Sequence, residues 1–323
     1  MERWLVTGAA GFIGSHLAEG LLRRGYVVRG MDNFSTGYRA NVEAIRTAAG
    51  PLAERFEMME ADIRDPDACR EACKGVDRVL HLAALASVPR SIEEPAETFR
   101  TNQEGFVLLL SAAREQGIEH VVYASSSAIY GDSAKLPVSE GNRGLPLSPY
   151  ALTKTMNEET AELYSRIYGM KCVGLRYFNV FGTRQDPNGA YAAVIPRWFD
   201  AISRGERPII YGDGTTSRDF CHVDDILAAN VLAATTEDPR AFGDAFNIAC
   251  GGRTSLNELF EIIRDITGAP ASLQPIYEDF RVGDIKHSYA SIDKARSVLG
   301  YEPATTFMDG LRKTADWYLG KQE

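Results

Sequence analysis

A tyrosine and a lysine four positions apart form the pair in this sequence best suited to acid–base chemistry. Ser148 and Pro149 are typical of the N-cap and the first position of a helix, so Tyr150 and Lys154 are expected on one face of that helix. An ammonium group beside a phenol stabilises the phenolate and lowers the phenol pKa from about 10. The spacing therefore predicts a general base near neutrality, suited to removing the proton of a sugar hydroxyl.

A run of three serines, Ser125, Ser126 and Ser127, ends a predicted strand. A hydroxyl at the carboxyl edge of a sheet could bridge a substrate oxygen and Tyr150, and a polar turn is the alternative. Ser127 and Ala128 stand where a dehydratase or decarboxylase built on such a site would need ionisable side chains for its additional proton transfers. Neither residue supplies one, which favours oxidation followed by reduction at a single carbon.

Three glycines between the first predicted strand and the first predicted helix indicate a dinucleotide site. Gly8, Gly11 and Gly14 permit a tight turn and let backbone N–H groups and the helix N-terminus approach a pyrophosphate. Asp32 ends the second predicted strand, 18 residues after Gly14. A carboxylate there accepts hydrogen bonds from ribose hydroxyls and repels a 2′-phosphate, so the pattern predicts NAD rather than NADP. A purely structural loop is the alternative.

The next two predicted strands end in residues that could complete that site. Asp62 and Ile63 could meet the adenine, and the small residues Ala83 and Ala84 stand where the cofactor backbone would pass. His81, which precedes them, is expected to be a packed histidine rather than a catalytic one.

Composition excludes several classes of function. The chain has 323 residues and a net charge of −9, which argues against broad binding of nucleic-acid backbones, although a few arginines could still converge on a small anion. No apolar run reaches about 18 residues and no export signal is evident, so no membrane span and a cytoplasmic location are expected. The five cysteines lack a Cys-x-x-Cys pair, and no metal site is expected.

Alternation of strand and helix patterns predicts an α/β fold with a doubly wound parallel sheet of the Rossmann type and a smaller C-terminal α/β substrate domain. Residues 1–178, rejoined by about 219–250, are expected to form the dinucleotide-binding domain, and 179–323 mainly the substrate domain. Predicted strands are 4–7, 26–31, 56–60, 76–82, 120–125 and 172–177. Predicted helices are 12–24, 66–73, 95–116, 149–168, 194–204, 223–235, 256–267 and 293–299.

Together these motifs resemble the extended short-chain dehydrogenases/reductases, and within them the UDP-hexose 4-epimerases. The resemblance covers nearly the whole chain. It is carried by 7–14, Asp32-Asn33, Asp62-Ile63, 125–131, Tyr150 with Lys154, 176–179, 217–220 and 281–284. The runs 85–91 and 185–196 are similar to UDP-N-acetylglucosamine 4-epimerases of bacterial surface-polysaccharide pathways.

The resemblance implies a role for individual residues. Ser126 would be the catalytic hydroxyl, with Ser127 a close second. Ser288 falls where the family limits the room around C2 of the sugar, and a serine there leaves space for an N-acetyl group. The implied substrate contacts are Ser87, Ser126, Ser127, Asn179 at the diphosphate or sugar, Ala193 and Val194 against uracil, Tyr211, Arg218 and Arg281 on the diphosphate, Asp284 at the uridine ribose, and Ser288. The expected cofactor contacts are Gly8, Gly11, Phe12, Ile13, Gly14, Asp32, Asn33, Ser35, Thr36, Gly37, Asp62, Ile63, Leu82, Ala83, Ala84, Asn102, Ser125, Tyr150, Lys154 and Tyr177.

The resulting hypothesis is an NAD-dependent 4-epimerase that interconverts UDP-N-acetylglucosamine and UDP-N-acetylgalactosamine through a 4-keto sugar, with NAD regenerated in each cycle. Alternatives are an epimerase of UDP-glucose and UDP-galactose or of UDP-uronic acids, a net dehydrogenase or reductase, and a non-catalytic NAD-sensing regulator. A non-catalytic regulator would be expected to lack one or more of the catalytic Tyr, Lys and Ser residues, whereas all three are present here.

The resemblance also implies a homodimer, because members of the family commonly pair through a four-helix bundle. The helices concerned would be 95–116 and 149–168. Phe99, Phe106, Leu109 and Leu110 could serve that contact or simply the core.

Overall fold

A computed structural model describes residues 1–131, 135–188, 192–280 and 286–320. Its central feature is a sheet of seven strands, all paired in parallel. The strands are β1 (Arg3–Thr7), β2 (Val27–Asp32), β3 (Phe56–Glu60), β4 (Arg78–His81), β5 (His120–Ser126), β6 (Lys171–Tyr177) and, after four short strands elsewhere, β11 (Asp244–Ile248). Their order is β3-β2-β1-β4-β5-β6-β11, so the strand order reverses between β1 and β4. The predicted doubly wound sheet is confirmed, and its carboxyl edge is where ligands bind in such folds.

Consecutive residues of the strands face opposite sides of the sheet, and both sides are buried. Leu5 belongs to one apolar cluster and Val6 to the other, and Val121 and Val122 divide in the same way. Burial of both faces explains why these strands read as continuous apolar runs.

Helices cover both faces of the sheet. They are α1 (Phe12–Arg23), α2 (Arg39–Ala49), α3 (Pro66–Cys73), α4 (Val88–Glu93), α5 (Pro95–Phe99), α6 (Gly105–Glu115), α7 (Pro149–Tyr168), α8 (Val194–Ser203), α9 (Val223–Thr235), α10 (Leu256–Thr267), α11 (Asp293–Leu299) and α12 (Phe307–Tyr318). Helices α1, α2, α9 and α11 contribute to one face, and α3, α6 and α7 to the other. Within the described ranges, none of the helices has the length and hydrophobicity needed to cross a bilayer.

The chain after β6 builds a smaller unit with its own core. Short strands β7 (Val180–Phe181) and β10 (Cys221–His222) pair with each other, β8 (Ile209–Tyr211) pairs with β13 (Ile276–Glu278), and β9 (Ser217–Arg218) lies between β12 (Thr254–Ser255) and β14 (His287–Ser288). Trp198 and Phe199 of α8 pack with Leu259 and Phe260 of α10 in this second core.

The prediction of one helix over 95–116 is wrong in detail. A π-helical turn over Arg100–Glu104 separates α5 from α6. Within it, Asn102 turns its amide inward: its Oδ1 accepts from Leu85 N at 2.8 Å and its Nδ2 donates to Leu85 O at 3.0 Å. Asn102 in this π-helical turn thus fixes the segment after β4 against α5 and α6. The hydrophobic periodicity of the sequence does not predict the π-helical turn.

Candidate active site

The turn after β1 requires glycine at two positions. Gly8 has φ +71°, and a Cβ on it would lie 2.9 Å from Ala83 N. A Cβ on Gly14 would lie 2.0 Å from the Gly8 carbonyl oxygen. Among the described residues, no side chain caps the first turn of α1 after Gly11, so its N–H groups are left for another acceptor. The geometry of this cradle fits the pyrophosphate of a dinucleotide.

Ten of the predicted cofactor residues line one cleft beside this turn. They are Gly8, Gly11, Asp32, Asn33, Ser35, Thr36, Ile63, Leu82, Ala83 and Ala84. Phe12, Ile13 and Gly14 belong to the first turns of α1, and Gly37 packs between Ala10 and Asp32. Met31, Ala61, Leu85 and Thr101 also line the cleft, and the sequence analysis missed them.

Asp32 is held by the backbone at the end of β2. Its Oδ2 accepts from Ala10 N at 2.9 Å and its Oδ1 from Phe34 N at 2.8 Å. Burial raises the pKa of Asp32, and these two backbone hydrogen bonds oppose the rise. The carboxylate is therefore fixed at the edge of the cleft, where ribose hydroxyls would reach it.

Asp62, expected at the adenine, belongs to an ionic cluster. Hydrogen bonding to Arg64 lowers the pKa of Asp62 to about 2, and Asn33 Nδ2 donates to Asp62 Oδ2 at 2.8 Å. Arg64 also pairs with Glu97 on α5. The sequence analysis missed Arg64, although its position two residues after Asp62 was a signal for a local ion pair.

His81 is buried, as expected for a packed histidine. Its Nδ1 lies 2.8 Å from Thr7 Oγ1, and its ring stacks on Phe106 with 5.3 Å between centroids. Burial, followed by the charge of Lys154, lowers the pKa of His81 to about 3, so the ring is neutral.

Tyr150 and Lys154 lie on the first turns of α7, whose N-cap is Ser148, as predicted. Both side chains are buried, and Lys154 Nζ lies 5.8 Å from the centre of the Tyr150 ring. Lys154 Nζ also donates to the carbonyl oxygen of Ala124 on β5 at 2.7 Å. The strand thus fixes the ammonium group beside the phenol.

In the protein without a bound ligand the net pKa of Tyr150 is raised rather than lowered, because burial outweighs the groups that favour phenolate. Burial raises the pKa of Tyr150, and a hydrogen bond with Ser126 opposes the rise. Burial also lowers the pKa of Lys154 to about 8, because the low-polarity surroundings disfavour its charged form. An oxidised nicotinamide ring carries a positive charge, and such a charge beside the phenol would lower its pKa.

The three serines have different partners. Ser126 hydrogen-bonds to Tyr150, and its oxygen accepts from Ala128 N at 3.1 Å. Ser125 is buried and donates to Glu158 Oε1 at 2.5 Å. Ser127 begins a short 3₁₀ turn, Ser127–Tyr130.

Glu158 anchors a buried ionic network behind the Tyr150–Lys154 pair. Arg176 on β6 binds it with two hydrogen bonds, 2.9 Å from Nε to Oε1 and 2.7 Å from Nη2 to Oε2. Arg176 Nη1 also donates to the Tyr130 hydroxyl at 2.8 Å. The charge of Glu158 raises the pKa of Lys154 against the larger effect of burial. The sequence analysis missed Glu158, although the spacing Tyr150, Lys154, Glu158 continues one helix face.

A second cavity, of about 250 Å³, opens in the smaller unit. Five predicted substrate residues line it: Asn179, Ala193, Val194, Tyr211 and Arg218. Asn179 adopts φ +33°, and this turn brings the chain after β6 to the cavity wall. Its Nδ2 donates to Asp219 O at 3.1 Å. Phe181, Trp198 and Phe220 make the wall aromatic, and the sequence analysis missed them.

Ser288 lies beside Arg218, because β14 and β9 pair with these two residues in register. Ser87 accepts from Arg90 N at 3.2 Å as the N-cap of α4. Tyr177 shares hydrogen bonds with Asn230, the shorter 2.8 Å from Asn230 Nδ2 to the phenol oxygen. Arg281 and Asp284 fall outside the described residues.

Three side-chain links join the segment after β7 to the cofactor side of the molecule. The Tyr38 hydroxyl donates to Asp186, Arg184 pairs with Glu19 on α1, and His16 Nε2 lies 2.9 Å from Thr183 Oγ1. These contacts hold residues 183–186 against α1 and Tyr38, close to the cofactor cleft.

Comparison with known proteins defines the class. Residues 4–249 match the model of the NAD dependent epimerase/dehydratase family. A UDP-glucose 4-epimerase of Mycolicibacterium smegmatis is 36% identical over 323 residues, covering 99% of this chain and 100% of that protein. The chain belongs to the NAD-dependent epimerase/dehydratase family.

Two solved structures narrow the class. A UDP-N-acetylglucosamine 4-epimerase from Methanobrevibacter ruminantium, in complex with UDP-N-acetylmuramic acid, has a TM-score of 0.91 and 39% identity, with 99% of each chain covered. A UDP-glucuronic acid 4-epimerase from Bacillus cereus, in complex with UDP-glucuronic acid and NAD, has a TM-score of 0.88 and 31% identity, covering 99% of this chain and 100% of that one. Within its family the chain is an NAD-dependent UDP-sugar 4-epimerase, an isomerase.

Glu158→Gln is expected to shift the pH dependence of epimerisation. Lys154 stabilises phenolate only while protonated, so activity should fall as pH rises through about 8. Glu158 favours that proton, and removing its charge should move the alkaline limb of kcat/KM to lower pH. Exposed Glu159→Gln, on the same helix, is the matched control. An unshifted limb in a folded Glu158→Gln enzyme would contradict a role through Lys154.

Proposed function

We propose that this enzyme interconverts UDP-N-acetylglucosamine and UDP-N-acetylgalactosamine by inversion at C4. The observation that carries the proposal is Ser288, a small side chain on β14 in register with Arg218, which lines the aromatic cavity. A small residue at position 288 would leave space for an acetamido group at C2 of the sugar. UDP-glucose would fit the same space, so the proposal concerns preference for the acetylated sugar.

The proposal gives each of the predicted contacts a part of the two ligands to bind. We propose that Ala193 and Val194 contact uracil, that Arg218 and Arg281 bind the diphosphate as planar guanidinium donors, and that Asp284 binds the uridine ribose. The cavity residues Asn179 and Tyr211 would hold the remaining sugar-nucleotide atoms. The glycine turn and Asp32 would hold NAD.

The proton chemistry belongs to α7 and the end of β5. Tyr150 Oη receives the proton of the sugar O4 and later returns it, while Ser126 Oγ hydrogen-bonds to the same phenol. Lys154 Nζ, fixed by Ala124 O, stabilises the phenolate while it holds its proton. NAD, held by the glycine turn and Asp32, would supply the reversible hydride chemistry at C4 of the sugar when bound.

The decisive experiment uses the purified enzyme with UDP-N-acetylglucosamine and no added cofactor. Formation of UDP-N-acetylgalactosamine without a net absorbance change at about 340 nm is expected, because NAD is regenerated in every cycle. The same assay with UDP-glucose and UDP-glucuronate measures preference. A higher kcat/KM for either of these would overturn the proposed substrate, and stoichiometric NADH formation would indicate a net dehydrogenase.

We propose that residues 1–178, with the returning segment about 219–250, form the dinucleotide-binding domain, and that 179–323 mainly form the sugar-nucleotide domain. The pairing of β11 with β6 supports this division, since the chain rejoins the large sheet after building most of the second cavity. Most of the second core, around Trp198 and Phe260, lies outside that returning segment.

We further propose a homodimer through α7. Phe106, Leu109 and Leu110 are fully buried in the core, so they cannot form the contact, and Phe99 is half-buried. The outer face of α7 instead exposes apolar side chains at helical spacing: Leu152 is 40%, Leu163 40% and Ile167 58% accessible. A stripe of this kind suits packing against the same helix of a second copy.

Charge on this stripe is expected to break the dimer. Leu163→Glu combined with Ile167→Glu should place two carboxylates in the interface and convert the dimer to a monomer in sedimentation velocity. Leu145→Glu is the control, because Leu145 is more exposed but lies in the loop before α7. A wild-type monomer, or a dimer unaffected by the double change, would refute this interface.

A further inference from the structure

Two cysteines and an aspartate that are distant in the sequence meet below the second cavity. Cys221 lies on β10, Asp225 in the first turn of α9, and Cys250 two residues after β11. The two sulfur atoms and a carboxylate oxygen all lie within 4.8 Å of one another. We propose that these three side chains form a binding site for one thiophilic divalent cation, such as Zn²⁺ or Cd²⁺.

The carboxylate has one oxygen without a partner. Asp225 Oδ1 accepts from Ala304 N at 2.8 Å and from Thr305 N at 3.1 Å. Asp225 Oδ2 is buried and has no hydrogen-bond partner among the described residues, and the whole residue is only 1% accessible. A buried carboxylate oxygen without a partner is costly, and a thiol is only a weak donor. A cation bound also to the two sulfur atoms would compensate that charge.

The protonation of the thiols sets the chemistry of binding. Cysteine ligates such cations as thiolate, so each thiol loses its proton on binding. Binding replaces protons: one divalent cation and two thiols give a bis-thiolate complex and two released protons. No electron transfer is involved.

The spacing suits a small soft cation. Zn–S bonds of about 2.3 Å in a tetrahedral site place two sulfur atoms about 3.8 Å apart. The two sulfur atoms here lie within 4.8 Å of each other, so they need to move closer by about 1 Å at most. Cys221 is fully buried, whereas Cys250 is half-buried and provides the route of entry. Zinc accepts this mixture of thiolate and carboxylate ligands.

The site adjoins residues that shape the sugar-nucleotide cavity. The backbone N–H groups of Cys250 and Gly251 each donate to Asp219 at 3.0 Å, and Asp219 O accepts from Asn179 Nδ2. Asp219 directly follows Arg218. A bound cation would therefore cross-link β10, α9 and the turn after β11, and stabilise the cavity wall without touching the reacting atoms.

The test titrates the reduced, full-length enzyme with CdCl₂ and follows the ultraviolet charge-transfer band of cadmium thiolate. One Cd²⁺ per chain, release of two protons and a higher Tm are expected. Cys250→Ser should weaken Cd²⁺ binding by more than the roughly 10–100-fold that loss of an outer-shell partner causes. Cys73→Ser is the matched control: it removes a thiol from another close cysteine pair, Cys69 and Cys73 on α3, and should leave binding unchanged.

Three results would overturn the proposal. They are the absence of a stoichiometric band in wild type, an unchanged band in Cys250→Ser, and loss of the band in Cys73→Ser. Asp225→Asn separates the carboxylate from the thiols: it should retain the thiolate band at saturation with weaker affinity, and equal affinity would exclude Asp225 as a ligand. Retention of bound NAD checks that each variant is folded.

Discussion

Tyr150→Phe is expected to lower kcat for epimerisation by about 10²–10⁴-fold, the usual contribution of a positioned acid–base group. Phenylalanine keeps the ring buried at the start of α7 but removes the oxygen that exchanges a proton with the sugar O4. Ser126 then loses its contact with the phenol but keeps the hydrogen bond from Ala128 N, and Lys154 has no phenolate to stabilise. The serine hydroxyl alone is too weak a base at neutral pH to replace it.

Binding measurements separate a chemical defect from a structural one. Tyr150→Phe should retain bound NAD and bind UDP normally, since the fold and both cavities are unchanged. Tyr164→Phe removes a phenol from the same helix, one that hydrogen-bonds to Ser111 at 3.0 Å, and should leave kcat near that of wild type. Near-normal turnover by Tyr150→Phe would exclude this residue as the base.

Ser288→Tyr is expected to reverse the substrate preference. A phenol ring beside Arg218 would occupy the space proposed for the acetamido group, and overpacking of this kind costs about 1–3 kcal/mol. Since about 1.4 kcal/mol corresponds to a factor of ten, kcat/KM for UDP-N-acetylglucosamine should fall roughly 5- to 150-fold. The value for UDP-glucose should change little, because its C2 hydroxyl needs no extra room.

Ser288→Ala is the matched control, and it should keep the wild-type preference because it leaves the space open. Measurement of kcat/KM for both sugars in all three enzymes gives the ratio directly. If the tyrosine variant still prefers the acetylated sugar, residue 288 does not set the specificity. The proposed preference would then depend on other residues of the cavity.

Much of the large sheet could be predicted from the sequence, because strands buried on both faces are continuous apolar runs. β11 was missed, since Asp244–Ile248 includes two polar residues and becomes a strand by pairing with β6. α2 was also missed, although Val42, Ile45 and Ala49 follow helical spacing among charged neighbours. Where tertiary pairing decides the structure, local patterns are insufficient.

The same distinction holds for the site. The helix from Pro149 could be predicted, and with it the shared face of Tyr150 and Lys154, because the N-cap and the i, i+4 spacing are local. The raised pKa of Tyr150 could not, because it depends on burial that only the folded chain supplies. The approach of Cys221 to Cys250 depends likewise on tertiary structure, because the two cysteines are 29 positions apart in the sequence.

The links from Tyr38 and Glu19 to residues 184–186 lead us to expect that binding at the two cavities is coupled. We expect a nucleotide sugar and a dinucleotide each to favour the contacts of residues 184 and 186 with α1 and Tyr38. Each ligand must then tighten the other by one common factor. NAD should therefore dissociate most slowly from enzyme that is saturated with sugar nucleotide. Enzyme kept without sugar nucleotide should lose its NAD fastest.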